Sequence, residues 1–106
     1  MSKKLKFSLI QNNKNLEVDF SINENVNNVK KVSILIEDLL RTIDEKTKKE
    51  ISMTEGDIIQ ALTIVIAVRI GISKFDHKSL FEVSQSMVLA ALENIAAGKE
   101  ERIGNA

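Results

Sequence analysis

The chain has 106 residues, of which 43% are apolar, and its 15 basic and 15 acidic side chains cancel. That length suits one domain able to hide roughly two-thirds of its unfolded surface, and the apolar content excludes a disordered chain. Interspersed, balanced charge sets up no long-range field for polyanions, and the lack of cysteine excludes disulfides, thiolate nucleophiles and thiolate metal ligands.

The segment from Met1 to Lys6 carries lysines, but no apolar stretch of signal-peptide length follows, so a cytoplasmic location is expected. From residue 5 to residue 22 apolar residues alternate. Leu5, Phe7 and Leu9 share one parity and Leu16, Val18, Phe20 and Ile22 another, on either side of Asn12-Asn13-Lys14-Asn15. Period-2 patterning around an Asn-rich turn predicts a β-hairpin, because Asn tolerates the backbone geometry of tight turns. A lone hairpin is marginal in water, so its apolar face must lie on helices or join another sheet edge.

Ser21 and Glu24 have capping-box spacing, with Asn23 and Asn25 as alternative caps, which predicts helix 1 over about residues 24–48. Its inner stripe is Val29, Val32, Leu35, Ile36, Leu39, Leu40 and Ile43, at spacings of three and four. Glu37 and Arg41 stand on the opposite face in the favourable i,i+4 order.

Thr54 and Asp57 form the clearest start signal, with Met53 and Ile58 placed for a hydrophobic staple, so helix 2 is predicted over about 55–72. Its apolar residues leave only a narrow polar sector around Gln60 and Thr63, the mark of a helix buried on most sides. The β-branched stretch Leu62 to Val68 is also compatible with a buried strand; the cap and the length favour helix. Arg69 within the run and its short length exclude a membrane span. Gly71 punctuates the C-terminus.

Helix 3 is predicted over about 77–97, stopping at Gly98, with Leu80, Phe81, Met87, Val88, Ala91, Leu92 and Ile95 inside. The polar tail, 99–106, is expected to be flexible. The expected fold is therefore α+β: an N-terminal β-hairpin followed by a three-helix bundle, in a single domain, 1–106, with helix 2 central and buried.

No catalytic, metal or cofactor motif stands out. His77 is the one histidine and lacks further ligands at helical spacing, so it reads as a solvated helix-start residue. Gln60, Thr63 and Ser84 are the polar groups near apolar faces; they either line a pocket or bond back to their own helices. No enzyme activity and no cofactor is expected.

Helix 2 carries more apolar surface than two helices and a hairpin can cover. An uncovered patch of several hundred Å² usually marks an interface, and a twofold dimer is the commonest solution. The candidate interface is Ile64, Ala67 and Val68, with Ile34 and Leu89 as apolar residues off the main stripes. The chain is thus expected to be a homodimeric protein-interaction module, with self-association its main partnership and no membrane partner. The alternative is a small dimeric nucleic-acid-binding regulator using the clusters Lys3, Lys4, Lys6 and Lys46, Lys48, Lys49; Glu17 and Asp19 beside the first cluster would repel phosphate.

Overall fold

The structure is a computed structural model and describes residues 3–11, 14–50 and 52–102. Two strands, β1 (Lys3–Gln11) and β2 (Lys14–Ile22), are followed by three helices, α1 (Val29–Lys49), α2 (Glu55–Gly71) and α3 (His77–Ala96). A short strand, β3 (Lys99–Arg102), closes the order. The α+β architecture with an N-terminal hairpin and three helices is as expected.

β1 and β2 are antiparallel and in register over their full lengths, with Leu5 opposite Phe20, Phe7 opposite Val18 and Leu9 opposite Leu16. The predicted parities therefore fall on one face, where cross-strand apolar pairs stabilise a sheet. The Phe7 and Phe20 rings meet at a tilt of 60° with centroids 6.5 Å apart, a favourable aromatic geometry. Among the described residues Leu5 and Val18 are the buried side chains, at 3% and 1% exposed. The other face pairs Lys6 with Asp19 and Ser8 with Glu17, and the Ser8 hydroxyl lies 3.0 Å from both Glu17 carboxylate oxygens. Asn12 and Asn13 of the predicted turn lie outside the described residues; Lys14 and Asn15 belong to β2.

The tail expected to be flexible instead supplies β3, which pairs antiparallel with Lys14–Glu17 of β2 and gives the order β1-β2-β3. The physical reason is β2's open edge, a row of unpaired backbone groups that another segment can satisfy. Beyond β3 the same edge is met by a side chain: the Ser21 N–H donates to Asn94 Oδ1 of α3 at 2.9 Å. Residues 103–106 of the predicted tail lie outside the described residues.

Helix 1 begins later than its capping signal suggested. Ser21 is spent in β2, and Asn23 forms a turn in which its side chain accepts the Asn25 N–H at 2.9 Å and its carbonyl the Val26 N–H at 3.0 Å. That local competitor delays α1 to Val29. On α1, Arg41 pairs with Asp38 rather than with the predicted Glu37.

α2 starts as predicted. Thr54, in an extended conformation at φ −99° and ψ 166°, accepts the Asp57 N–H at 3.2 Å, while Asp57 accepts the Thr54 N–H at 2.9 Å. Helix, not strand, wins over Leu62 to Val68. Gly71 is the last helical residue and not a left-handed cap; Ile72 closes the helix at φ −90°, and its N–H reaches the Val68 carbonyl.

α3 is capped by Asp76, whose carboxylate accepts the Ser79 N–H at 2.9 Å and the Ser79 hydroxyl at 2.7 Å. These bonds, together with the nearby His77, hold the Asp76 carboxyl below its ordinary value.

The structure divides into two compact units. One holds the strands and residues from Ser84 onward; the other runs from Lys31 to Val83. In the second unit the C-terminal half of α1 and the N-terminal half of α2 share an apolar groove lined by Ile43, Lys46, Met53, Ile58 and Leu62.

The burial expected of helix 2 is not found: none of its residues is buried, and Ile59, Ile64, Val65, Ile66 and Val68 are all exposed. α1 and α3 likewise contain no buried residue.

Candidate functional site

Angular position on each helix decides which apolar residues are free, since successive residues are set about 100° apart. On α2 the half-buried positions are Ile58, Leu62 and Ile70. Ile64 and Ala67 stand nearly opposite Leu62, and Val68 falls on the flank beside them. These three share one outward sector with Gln60 and Gly71.

The predicted interface residues are therefore accessible. Ile34, Ile64, Val68 and Leu89 are between 50% and 59% exposed, and Ala67 is exposed as well. Ile64, Ala67 and Val68 are brought together on one face. Ile34 sits on the side of α1 away from its half-buried line of Val29, Ile36 and Ile43, among Lys30, Asp38 and Arg41. Leu89 lies on α3, away from the half-buried positions Leu80, Val83, Ser84, Ala90, Ala91 and Asn94.

The free apolar surface extends beyond these five residues. On α1, Leu35 and Leu39 occupy the flank of the predicted inner stripe and are exposed. On α3, Phe81, Val88, Leu92 and Ile95 repeat at spacings of seven, four and three and form one exposed line, bordered by the half-buried Ser84 and Ala91. All six were expected inside. The signal that marks them is the width of the apolar arc: on α3 the predicted stripe spans about 140°, wider than the roughly 100° of a minimal core-facing stripe.

Polar groups offer less. The Thr63 hydroxyl donates to the Gln60 carbonyl at 2.8 Å, and the Gln60 amide donates to the Thr63 hydroxyl at 3.3 Å, so both are satisfied within one helical turn. Nε2 of His77 lies 3.1 Å from the Ser73 carbonyl, an atom that can only accept, so this nitrogen carries the proton. His77 thus fastens the α2–α3 connection to the first turn of α3.

A shallow groove beside β2 is lined by Glu17, Asp19, Asn94, Ala97 and Gly98. Its Glu17 is engaged by Ser8 and by the Asn15 amide at 2.7 Å. Among the described residues no group of three or more His, Cys, Asp or Glu side chains is placed to hold a metal ion. Among the same residues no helix is long and apolar enough to cross a membrane.

Of the lysine clusters, Lys3 donates to the Val26 carbonyl. Lys46, Lys48 and Lys49 occupy the last turn of α1, where cations meet the negative end of the helix dipole. No known family, curated protein or solved structure matches the chain.

Proposed function

We propose that the chain is a non-enzymatic protein-interaction module that works as a homodimer, in the cytoplasm. The observation that carries this reading is the accessible surface, 9036 Å². A compact monomer of this size exposes about 5,900 Å², and two separate compact bodies of half the size would expose about 7,100 Å² together. The excess, roughly 1,900 to 3,100 Å², reaches or passes the ~1,000–2,500 Å² that each copy gives up in an obligate interface.

The character of the surface supports the same reading. Among the described residues eighteen large apolar side chains are exposed, spread over all three helices and the connections around α2. Contiguous apolar surface larger than a few hundred Å² marks an interface on most soluble proteins. A second copy offers the same surface in return, and a twofold arrangement is self-complementary by construction.

Multi-angle light scattering at tens of micromolar tests the proposal. The expected mass is twice that of the chain, and a monomer that stays monodisperse and folded would overturn it.

A further inference from the structure

We propose that β3 is an intramolecular guard on the edge of β2: while it is in place, the β1 edge of another copy cannot extend the sheet. The guard acts on the sheet alone and does not depend on whether the chain is a homodimer.

The order β1-β2-β3 makes β2 an inner strand over Lys14–Glu17, where β3 pairs with it. In an antiparallel sheet successive residues aim their backbone groups to opposite sides, so one assignment fixes the rest of a strand. The Ser21 N–H reaches Asn94 of α3 and not β1. Asn15 and Glu17 share the parity of Ser21 and therefore aim at the β3 side. The Glu17 carbonyl oxygen, 3.0 Å from where a Gly98 Cβ would stand, lies on that side. Asn15 stands opposite Glu101 and Glu17 opposite Lys99, so these pairs exchange the ladder's hydrogen bonds. Removing β3 uncovers the backbone groups of Asn15 and Glu17, and such a row is a template for another strand.

Charge decides which strand adds. On the polar face of the sheet β1 carries Lys4 and Lys6 and β2 carries Glu17 and Asp19, and within one chain Lys6 stands opposite Asp19. A β1 edge laid antiparallel on the β2 edge of another copy again sets lysines against acids, whereas β2 on β2 sets acids against acids. β1 is the other outer strand of the sheet. Each copy then offers one β1 edge and one β2 edge, a head-to-tail contact that does not close.

Two features suit β3 to end the sheet. Its four residues, Lys99 to Arg102, are all charged, and a short charged edge strand resists further pairing. It is also tethered, because Gly98 packs on β2 and leads directly into it. The tether holds β3 at an effective concentration of about millimolar, against micromolar for another copy. That roughly thousandfold advantage favours the short β3 over a longer but untethered β1.

The test places proline in the full chain at two adjacent glutamates. Glu101→Pro deletes an N–H aimed at β2, whereas Glu100→Pro deletes one aimed away from it, where an edge strand tolerates proline. The two variants lose the same charge, gain the same ring and differ only in parity. Hydrogen exchange at the Asn15 and Glu17 amides reports detachment of β3, and light scattering followed over time at tens of micromolar reports assembly. In Glu101→Pro exchange at both amides should rise roughly tenfold, the effect of about one lost hydrogen bond, and the mass should grow steadily beyond that of the parent. Glu100→Pro should match the parent in both. Adding Lys6→Pro to Glu101→Pro should stop the growth, because the N–H it deletes lies on the outer edge of β1. Faster exchange with the parent's mass overturns the guard, as does unchanged exchange in Glu101→Pro or equal growth in both proline variants. Growth that survives Lys6→Pro overturns β1 as the added strand.

Discussion

Gly98 lies directly against the main chain of β2: a Cβ at this position would stand 3.0 Å from the Glu17 carbonyl oxygen. The same atom would be 3.0 Å from Leu16 Cδ1 and 3.1 Å from the Ile95 carbonyl. Two of these neighbours are backbone atoms that cannot swing aside. The close approach lets the chain leave α3 and enter β3 without a gap, with the Gly98 N–H bonded to the Ile95 carbonyl at 3.0 Å. Gly98→Ala is expected to cost about 1–3 kcal/mol through this overpacking. Urea denaturation measures it, and an unchanged midpoint would show that the α3–β3 junction is looser than described.

Val68 distinguishes a lone chain from an assembled one. At a position this exposed on a monomer, a polar substitution changes stability by no more than about 0.5 kcal/mol. On a surface that a partner covers, Val68→Glu places a charge in an apolar contact and should lower both the oligomeric fraction and the melting temperature. Identical mass and melting behaviour for the variant would remove α2 from the interface.

Thr54 makes the reciprocal cap that starts α2. Thr54→Ala deletes the acceptor for the Asp57 N–H and is expected to cost about 1 kcal/mol. Thr54→Ser keeps the oxygen and should restore most of the loss. Thermal melts of the pair check this, and equal destabilisation by both variants would contradict it.

Asp76 gives the start of α3 a pH dependence. Its carboxyl is held below the ordinary value by the hydrogen bonds from Ser79 and by His77. A group with a depressed folded value stabilises the fold above its unfolded value, and that contribution fades as pH falls through the lowered folded value. Asp76→Asn removes the ionised form, so the stability gap between variant and parent should be widest near neutrality and shrink in acid. A gap constant across that range would show that charge plays no part in the cap.

Most of the local structure was legible in the sequence because it depends on neighbours along the chain. The hairpin parity, the Thr54–Asp57 box and the ends of α2 and α3 all follow from rules spanning a few residues. Three features resisted for physical reasons. Asn23 diverts the chain into its own turn before α1 can begin, a competition between two local hydrogen-bonding solutions that Ser21 and Glu24 alone do not reveal. β3 forms because a distant edge of β2 is open, which the polar composition of Lys99–Arg102 does not announce. The burial of α2 was inferred from its composition alone, yet composition says that a surface wants covering and not which chain covers it. The same distinction explains the candidate interface. Ile64, Ala67 and Val68 follow from the excess apolarity of α2, whereas Phe81, Val88, Leu92 and Ile95 share one apolar arc with the half-buried positions of α3, and the pattern does not say where along that arc the cover ends.

The concentration dependence of thermal unfolding tests most directly the proposal that a second copy completes this chain. With Leu5 and Val18 the buried side chains among the described residues, a separated protomer retains little to hold it folded. Unfolding and dissociation should then coincide, and each tenfold dilution should lower the melting temperature by about 3–5 °C. A sharp transition at the same temperature across a hundredfold range of concentration, with the mass of a single chain throughout, would contradict the claim.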